Sequence, residues 1–343
     1  MSPPTIFDVA RRAGVSKSTV SKVLTQTSHV RLETRQRVEA AIADLNYHPS
    51  VTARRFQSRR SHLIGLGLPE IGYQPLPLFY AALMSGVGVV TAECGYNLVW
   101  LLANDRATEH HDTYAKAYLR REVDGLLLTA IPLGDPRIAA LRRTECPFVI
   151  VGRYDNPDVY TVDVDNVAVG YLATRHLLNL GHTRIGLLKG HRDQPFSHDR
   201  YTGYLQALRE SGVAIDDPLV QWPARNDVSG YAATLQMLDA FAPTAFIATD
   251  MGLQPGCLRA LHDRHRRVPT ECSVVGVADV MPDTAEPTIS VVVQPTFDLA
   301  GMAADLLLRL IAGTRPEHKR YVLSPVFVDG LSTVPPVADR APR

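Results

Sequence analysis

Residues 5–30 read TIFDVARRAGVSKSTVSKVLTQTSHV, and the spacing of the apolar positions in this stretch decides how the chain begins. Ile6, Val9, Ala10 and Ala13 fall at i, i+3, i+4 and i+7, one face of a helix. Gly14 supplies a turn, and Ser16 can cap a second helix whose Val20, Val23 and Leu24 face inward. Lys17, Ser18, Ser21 and Lys22 are left on the outer face. Two short helices joined this way present the second to a DNA major groove, where its first turn reaches base edges. Val38, Ala41, Ile42 and Leu45 mark a third helix that closes a small core, and Tyr47-His48-Pro49 ends it.

The wording of the segment is more specific than its pattern. DVA (8–10), AGVS (13–16), TVS (19–21), VL (23–24), Thr34-Arg35 and LNYHP (45–49) closely resemble the headpiece of the LacI/GalR family of bacterial transcription regulators. The match runs without a gap from Thr5 to about Ser58 and continues more loosely through VDVDN (162–166), His176-Leu177, LGHTRIG (180–186), SVVG (273–276) and Gln294-Pro295. The resemblance implies base reading by Lys17, Ser18 and Lys22, with Thr5, Ser16, Thr19, Ser21, His29 and Thr34 on the DNA backbone or supporting it. Where the family has Ser before the third helix, this chain has Arg31, and a missing cap costs about 1 kcal/mol. The stretch SVTARRFQS (50–58) is too short to be stable alone; by resemblance it is a hinge helix that folds on DNA. Ala53, Arg54, Arg55 and Phe56 would then meet the minor groove, with Phe56 in place of the Leu that the family wedges between base pairs.

Charge points to nucleic acid without any resemblance. Residues 1–62 hold eleven Lys/Arg against four Asp/Glu, a net of +7, so the rest of the chain carries −6 to reach the overall +1. A near-neutral total therefore hides a basic head on a mildly acidic body.

From Ser61 onward, apolar runs alternate with helix-sized segments: LIGLGL (63–68), YNLVWLL (96–102), GLLLTAI (125–131), FVIVG (148–152), RIGLLK (184–189), AFIAT (245–249) and SVVGV (273–277). The pattern predicts an α/β body of βαβ units with two successive doubly wound parallel sheets. Ligands bind such sheets at the carboxyl ends of their strands, so the cleft between subdomains is the expected small-molecule site. By resemblance this is a two-subdomain core similar to periplasmic sugar-binding proteins, crossed by the chain near 160, 290 and 322. The implied division is a helix-turn-helix headpiece at 1–49, hinge helix and linker at 50–61, an N-subdomain at 62–161 with 291–321, and a C-subdomain at 162–290 with 322–332. Residues 333–343 are read as a loose tail. The ending SPVFVDGLSTVPPVADRAPR has four prolines and no leucine heptad, so assembly is expected to stop at a homodimer.

Pocket candidates come from the strand ends. Phe79 and Tyr80 match aromatics that open the first core helix in the family and flank its ligand, and Asp199-Arg200 with Gly203-Tyr204 matches a segment whose Arg grips the effector. A guanidinium fork suits vicinal hydroxyls or a carboxylate. Thr249-Asp250 and Ala278-Asp279 stand where the family reads Asn-Asp and Asp-Asp; Ala278 cannot accept a ligand hydroxyl, which leaves Asp250 and Asp279 as acceptors. Arg153 and Trp222 are weaker additions, the Trp as a stacking surface for a sugar face.

Enzyme signatures are missing from the sequence. Gly65-x-Gly67 lacks the third glycine of a dinucleotide loop, there is no phosphate-loop or nucleophile-elbow motif, and His262-x-x-His265 lacks a metalloprotease Glu. His110-His111-Asp112 reads as a solvated loop. No cofactor or metal is expected. Cys94, Cys146, Cys257 and Cys272 are scattered without a CxxC pair, no apolar run is long enough to span a membrane, and the first residues lack a signal-peptide core. These readings converge on a cytoplasmic, dimeric transcription regulator, a repressor, which binds double-stranded operator DNA and answers to a sugar or glycoside. Alternatives are a nucleobase or other metabolite as effector, a solute-binding receptor without DNA function, or a sugar-processing enzyme, for which the paired carboxylates are not found.

Overall fold

The computed structural model describes residues 4–25, 30–47, 60–68, 78–102, 112–132, 134–190, 192–215, 217–281 and 288–337. The chain divides into two compact units, Met1–Ser61 and His62–Arg343.

In the first unit, α1 (Ile6–Ala13), α2 (Lys17–Thr25) and α3 (Leu32–Asp44) enclose Val9, Val20, Val23, Val38, Ala41 and Tyr47. Thr5 starts α1 with a capping box: its N–H and its hydroxyl both donate to Asp8 Oδ2, at 2.9 and 2.6 Å. Gly14 ends the helix at φ 63°, left-handed backbone that favours glycine, and the following Val15 N–H closes on the Ala10 carbonyl at 3.0 Å. Ser16 caps α2 as the sequence suggests, accepting from the Thr19 N–H at 3.2 Å. Arg31, before α3, makes no side-chain cap bond.

The second unit is built on two six-stranded sheets. The first holds β1 (Leu63–Leu68), β2 (Asn97–Leu102), β3 (Gly125–Thr129), β4 (Phe148–Val151), β5 (Thr161–Val164) and β11 (Arg320–Leu323), in the order β11-β5-β4-β3-β1-β2, all parallel. The second holds β6 (Ile185–Leu188), β7 (Val220–Gln221), β8 (Ala245–Ala248), β9 (Ser273–Ala278), β10 (Ser290–Val293) and β12 (Val326–Val328), in the order β12-β10-β9-β8-β6-β7, with only β12 antiparallel. Strands β3, β4, β5, β6, β8 and β10 are buried along their whole length, because helices cover both faces of each sheet. The described α-helices of this unit are α4 (Leu78–Glu93), α5 (Thr113–Leu119), α6 (Pro136–Arg143), α7 (Asn166–Asn179), α8 (Pro195–Glu210), α9 (Asp227–Phe241), α10 (Gln254–Asp263) and α11 (Thr296–Ile311), and all but α5 and α6 carry cleft residues.

The chain passes between the sheets three times: from β5 to α7 at Asp165, from β10 to α11 at Gln294-Pro295, and from β11 to β12 at Ser324-Pro325. Each passage lies a few residues beyond the expected boundary at 161, 290 or 321. The reason is that ladder bonds hold β5, β10 and β11 in register to their last residues. Thr333 and Val334 also depart from the reading of a loose tail, since they are bonded to residues of the second sheet, of α7 and of the loop that follows it. His182, only 2% exposed, lies 2.9 Å from the Val334 carbonyl through Nε2 and 2.9 Å from Thr244 Oγ1 through Nδ1. A carbonyl can only accept, so Nε2 donates and Nδ1 accepts. Val334 N–H donates to Ser273 Oγ at 3.1 Å, and Thr333 Oγ1 meets His176 Nε2 at 2.9 Å.

Candidate functional site

On the first unit, α2 presents Lys17, Ser18 and Lys22 exposed, with Thr19 and Ser21 half-buried; Thr34, on α3, is half-buried too. The two lysines have no carboxylate partner among the described residues, and Lys17 Nζ sits 4.9 Å from the centroid of the exposed Phe7 ring. By contrast Arg12 is paired with Asp44 at 2.9 Å. Uncompensated cations on the outer helix are what phosphates or guanine edges require. The exposed Ser18 hydroxyl lies 2.7 Å from the equally exposed Ser16 Oγ. Thr5 spends its hydroxyl on Asp8, whose carboxyl is held below its usual range by those Thr5 hydrogen bonds. His29, Ala53, Arg54, Arg55 and Phe56 lie outside the described residues.

In the second unit the carboxyl ends of both sheets open on a cavity of about 620 Å³. The first sheet contributes Phe79 and Tyr80 from the start of α4, and Ile150, Val151 and Arg153 from the end of β4. Phe79 and Tyr80 meet edge to face at 5.1 Å, and burial raises the Tyr80 hydroxyl above its ordinary pKa. The second sheet supplies Phe196 and Arg200 from α8, Asp250 after β8 and Asp279 after β9. Six of the seven residues expected in the cleft are thus brought to one cavity: Phe79, Tyr80, Arg153, Arg200, Asp250 and Asp279.

Trp222 is the exception and corrects that part of the sequence reading. It follows β7, the outermost strand of the second sheet, and its indole covers a different group, Lys189, whose Nζ lies 3.2 Å from both the Trp222 and Tyr201 ring centroids. A ring already committed to a buried ammonium is not offered to the cavity.

Arg200 is placed by two glycines. A Cβ at Gly170 would overlap the Arg200 carbonyl, and one at Gly203 would overlap the Val167 carbonyl, so α7 and α8 touch backbone to backbone. The guanidinium, 5% exposed, then donates to Asn166 Oδ1 at 2.9 Å, to Gln294 Oε1 at 2.8 Å and to the Thr249 carbonyl. Asn166 and Gln294 stand at two of the three crossings, so Arg200 stitches the passages together. Burial pulls its pKa down to about 10. Asp279 belongs to the same network, accepting from Gln294 Nε2 at 2.8 Å and Thr296 Oγ1 at 3.0 Å, and burial raises its pKa.

Sequence reasoning missed Asp163, Gln194, Phe196, Arg225 and Asp227, all of which line the cavity. Asp163, next to the last residue of β5, accepts from the Val164 N–H at 2.8 Å and Asn166 Nδ2 at 3.2 Å; burial pushes its pKa to about 6. Its signal, VDVDN, was in view without a role. Arg225 sits in the loop after Trp222-Pro223, where no periodicity points to it, and its Nε donates to Asp250 Oδ2 at 2.5 Å. No group of His, Cys, Asp and Glu that could hold a metal ion occurs among the described residues, and no described helix is long and apolar enough to cross a membrane.

Comparison with known proteins agrees with both halves of this geometry. Residues 5–50 match the family profile for bacterial regulatory proteins of the lacI family, and residues 174–333 match the periplasmic binding protein-like domain. The HTH-type transcriptional regulator CelR of Thermobifida fusca is 36% identical over 329 residues, covering 93% of this chain and 95% of its own. A structure of the transcriptional regulator CelR–cellobiose complex superposes with a TM-score of 0.72 at 32% identity, over 96% of this chain and 99% of that one. The lac repressor dimer bound to operator and the anti-inducer ONPF gives a TM-score of 0.83 at 27% identity, over 97% and 100% of the two chains. The chain belongs to the LacI family and is a DNA-binding transcription regulator.

Proposed function

We propose that the protein is a cytoplasmic, non-catalytic repressor that reads a pseudopalindromic operator as a homodimer and is switched by a sugar or glycoside in the inter-sheet cleft. The observation that carries the effector half is the cavity itself: carboxylates and guanidiniums converge with Phe79, Tyr80 and Phe196 at the ends of two parallel sheets. Such a mixture suits a ring with hydroxyl edges and an apolar face. Its volume of about 620 Å³ equals the liquid share of about twenty waters. That volume admits a two-ring saccharide, whose covalently joined atoms pack more closely than waters, with space to spare. The solved CelR–cellobiose complex supports a sugar of this size. Lys17, Ser18 and Lys22 are proposed as the base-reading set, and residues 50–58, outside the described residues, as the coupling segment.

The test is fluorescence anisotropy of the full chain on labelled DNA from upstream of its own coding region, with cellobiose, maltose, lactose, melibiose and ribose added in turn. One sugar should change operator affinity by about 5- to 150-fold, the span of a 1–3 kcal/mol coupling, and should be recovered unmodified. Lys22→Ala should weaken operator binding by about 1–3 kcal/mol and flatten preference at one base pair. Indifference to every sugar would sink the effector reading, and equal losses on operator and random DNA would reassign Lys22 to phosphate.

A further inference from the structure

Three guanidiniums line the cleft, and they differ in what they have left to give. Arg200 spends Nε, Nη1 and Nη2 on Asn166, Thr249 and Gln294. Arg153 spends Nε and Nη2 on Asp155, at 2.8 and 3.1 Å, and Nη1 on Asp199. Arg225 is held by Nε alone, to Asp250 Oδ2 at 2.5 Å, and its two terminal amino groups have no partner among the described residues. Its side chain keeps 37% exposure, against 10% for that of Asp250. The acceptor beside it is equally fixed: Asp250 Oδ1 takes the Gly252 N–H at 2.9 Å, and the Arg225 guanidinium carbon lies 5.1 Å from the Phe196 ring. A planar fork with four unspent N–H groups therefore stands beside a carboxylate immobilised from both ends.

We infer that Arg225 with Asp250, rather than Arg200, is the polar anchor of the effector site, and that it clamps a vicinal diol of an uncharged saccharide. The inference rests on the sugar reading above and narrows it to a chemical class. Both a diol and a carboxylate fit a guanidinium fork in shape. Charge separates them. The cavity wall carries Asp163, Asp227, Asp250 and Asp279 against Arg153, Arg200 and Arg225; Arg259 neutralises Asp227 and Asp155 with Asp199 neutralises Arg153, which leaves Asp163, Asp250 and Asp279 against Arg200 and Arg225. An acidic sugar would add a further anion to a site that already holds more carboxylates than guanidiniums. A neutral diol can receive from Arg225 through its oxygens and donate to Asp250 through a hydroxyl hydrogen, satisfying both partners without moving charge.

The experiment is calorimetric titration of the full chain with cellobiose, maltose, lactose and melibiose, alongside cellobionate, glucuronate and galacturonate. At least one neutral disaccharide should bind, and every carboxylate sugar should bind about tenfold or more weakly than it. Arg225→Ala should lose about tenfold or more for that disaccharide, and Arg225→Lys nearly as much, because an ammonium does not present a planar fork. Unliganded melting temperatures report whether each variant folds, and Arg225→Gln stands in if the Ala variant does not. A monodeoxy analogue of the bound disaccharide separates contact from mere support: one missing diol hydroxyl should weaken binding to the wild type and make little further difference to Arg225→Ala. Unchanged affinity in Arg225→Ala, or tighter binding of an acidic sugar, overturns this inference and leaves the sugar reading standing. If no sugar of either class binds, both fall.

Discussion

Lys189 is 1% exposed, immediately follows β6, and points its ammonium between the Tyr201 and Trp222 rings without a carboxylate partner among the described residues. Burial, with the nearby Arg192 charge, pulls its pKa from 10.5 to about 7. Two ring faces return about 1–2 kcal/mol each when desolvated, whereas removing an ammonium from water costs several kcal/mol, so the net effect is a cost. The sign over pH follows from where the proton sits. Between about pH 7 and 10.5 the unfolded chain binds a proton that the folded chain does not, so stability rises with pH across that window; below about 7 the whole cost is present. Lys189→Met should therefore raise the melting temperature at pH 6, by an amount equivalent to about 1–2 kcal/mol, and raise it progressively less as pH approaches 10. A variant less stable than wild type at pH 6 would mean that the aromatic cage outweighs desolvation.

Among elements, the segment after β12 is the one whose role changes most on folding. Its prolines and small residues read as a frayed end, yet Thr333 and Val334 supply the partners for His176, His182 and Ser273. Ser273 is fully buried and burial holds the His182 ring below its ordinary pKa, so neither finds water if the segment leaves. A buried donor left unpaired costs about 1–3 kcal/mol. Ending the chain at Ser332 should thus lower the melting temperature by several degrees, and an unchanged melting curve would show that the segment only decorates the sheet. The LGHTRIG motif acquires its physical content here: its His is a strap buckle, not a ligand.

For the core unit as a whole, Arg153 follows β4 of the first sheet and Asp199 lies on α8 over the second, so their ion pair links the two subdomains directly. Arg153 is oriented for this by its two bonds to Asp155. Removing the link should shift the subdomains toward separation and reduce apparent effector affinity by the lost fraction of competent molecules. Asp199→Ala is expected to cost ~1 kcal/mol, about fivefold in affinity for the tightest neutral disaccharide, together with a larger radius of gyration for the unliganded protein in solution scattering. No change in either quantity would reduce the pair to a surface contact.

Local pattern alone settled the head, the alternation of strands and helices, and the placing of the main β-strands. Helix periodicity, the Gly14 turn and the Ser16 cap are properties of neighbours in sequence, and a six-residue run such as LIGLGL can be buried on both faces only inside a covered parallel sheet. Strands β5, β7 and β11 escaped notice because TVDV, VQ and RYVL break the apolar run with a polar or charged residue, and β12 because three residues carry no period. At the cleft, residue type was legible and partnership was not. That an Arg stands at 200 follows from the sequence, but that Asn166, Thr249 and Gln294 consume its donors depends on three segments meeting in space. The same meeting leaves Arg225, in an unpatterned loop, with the unspent fork, and turns Trp222 away to cover Lys189. Which donor remains free is a sum over contacts between residues far apart in the chain, and only tertiary structure performs that sum.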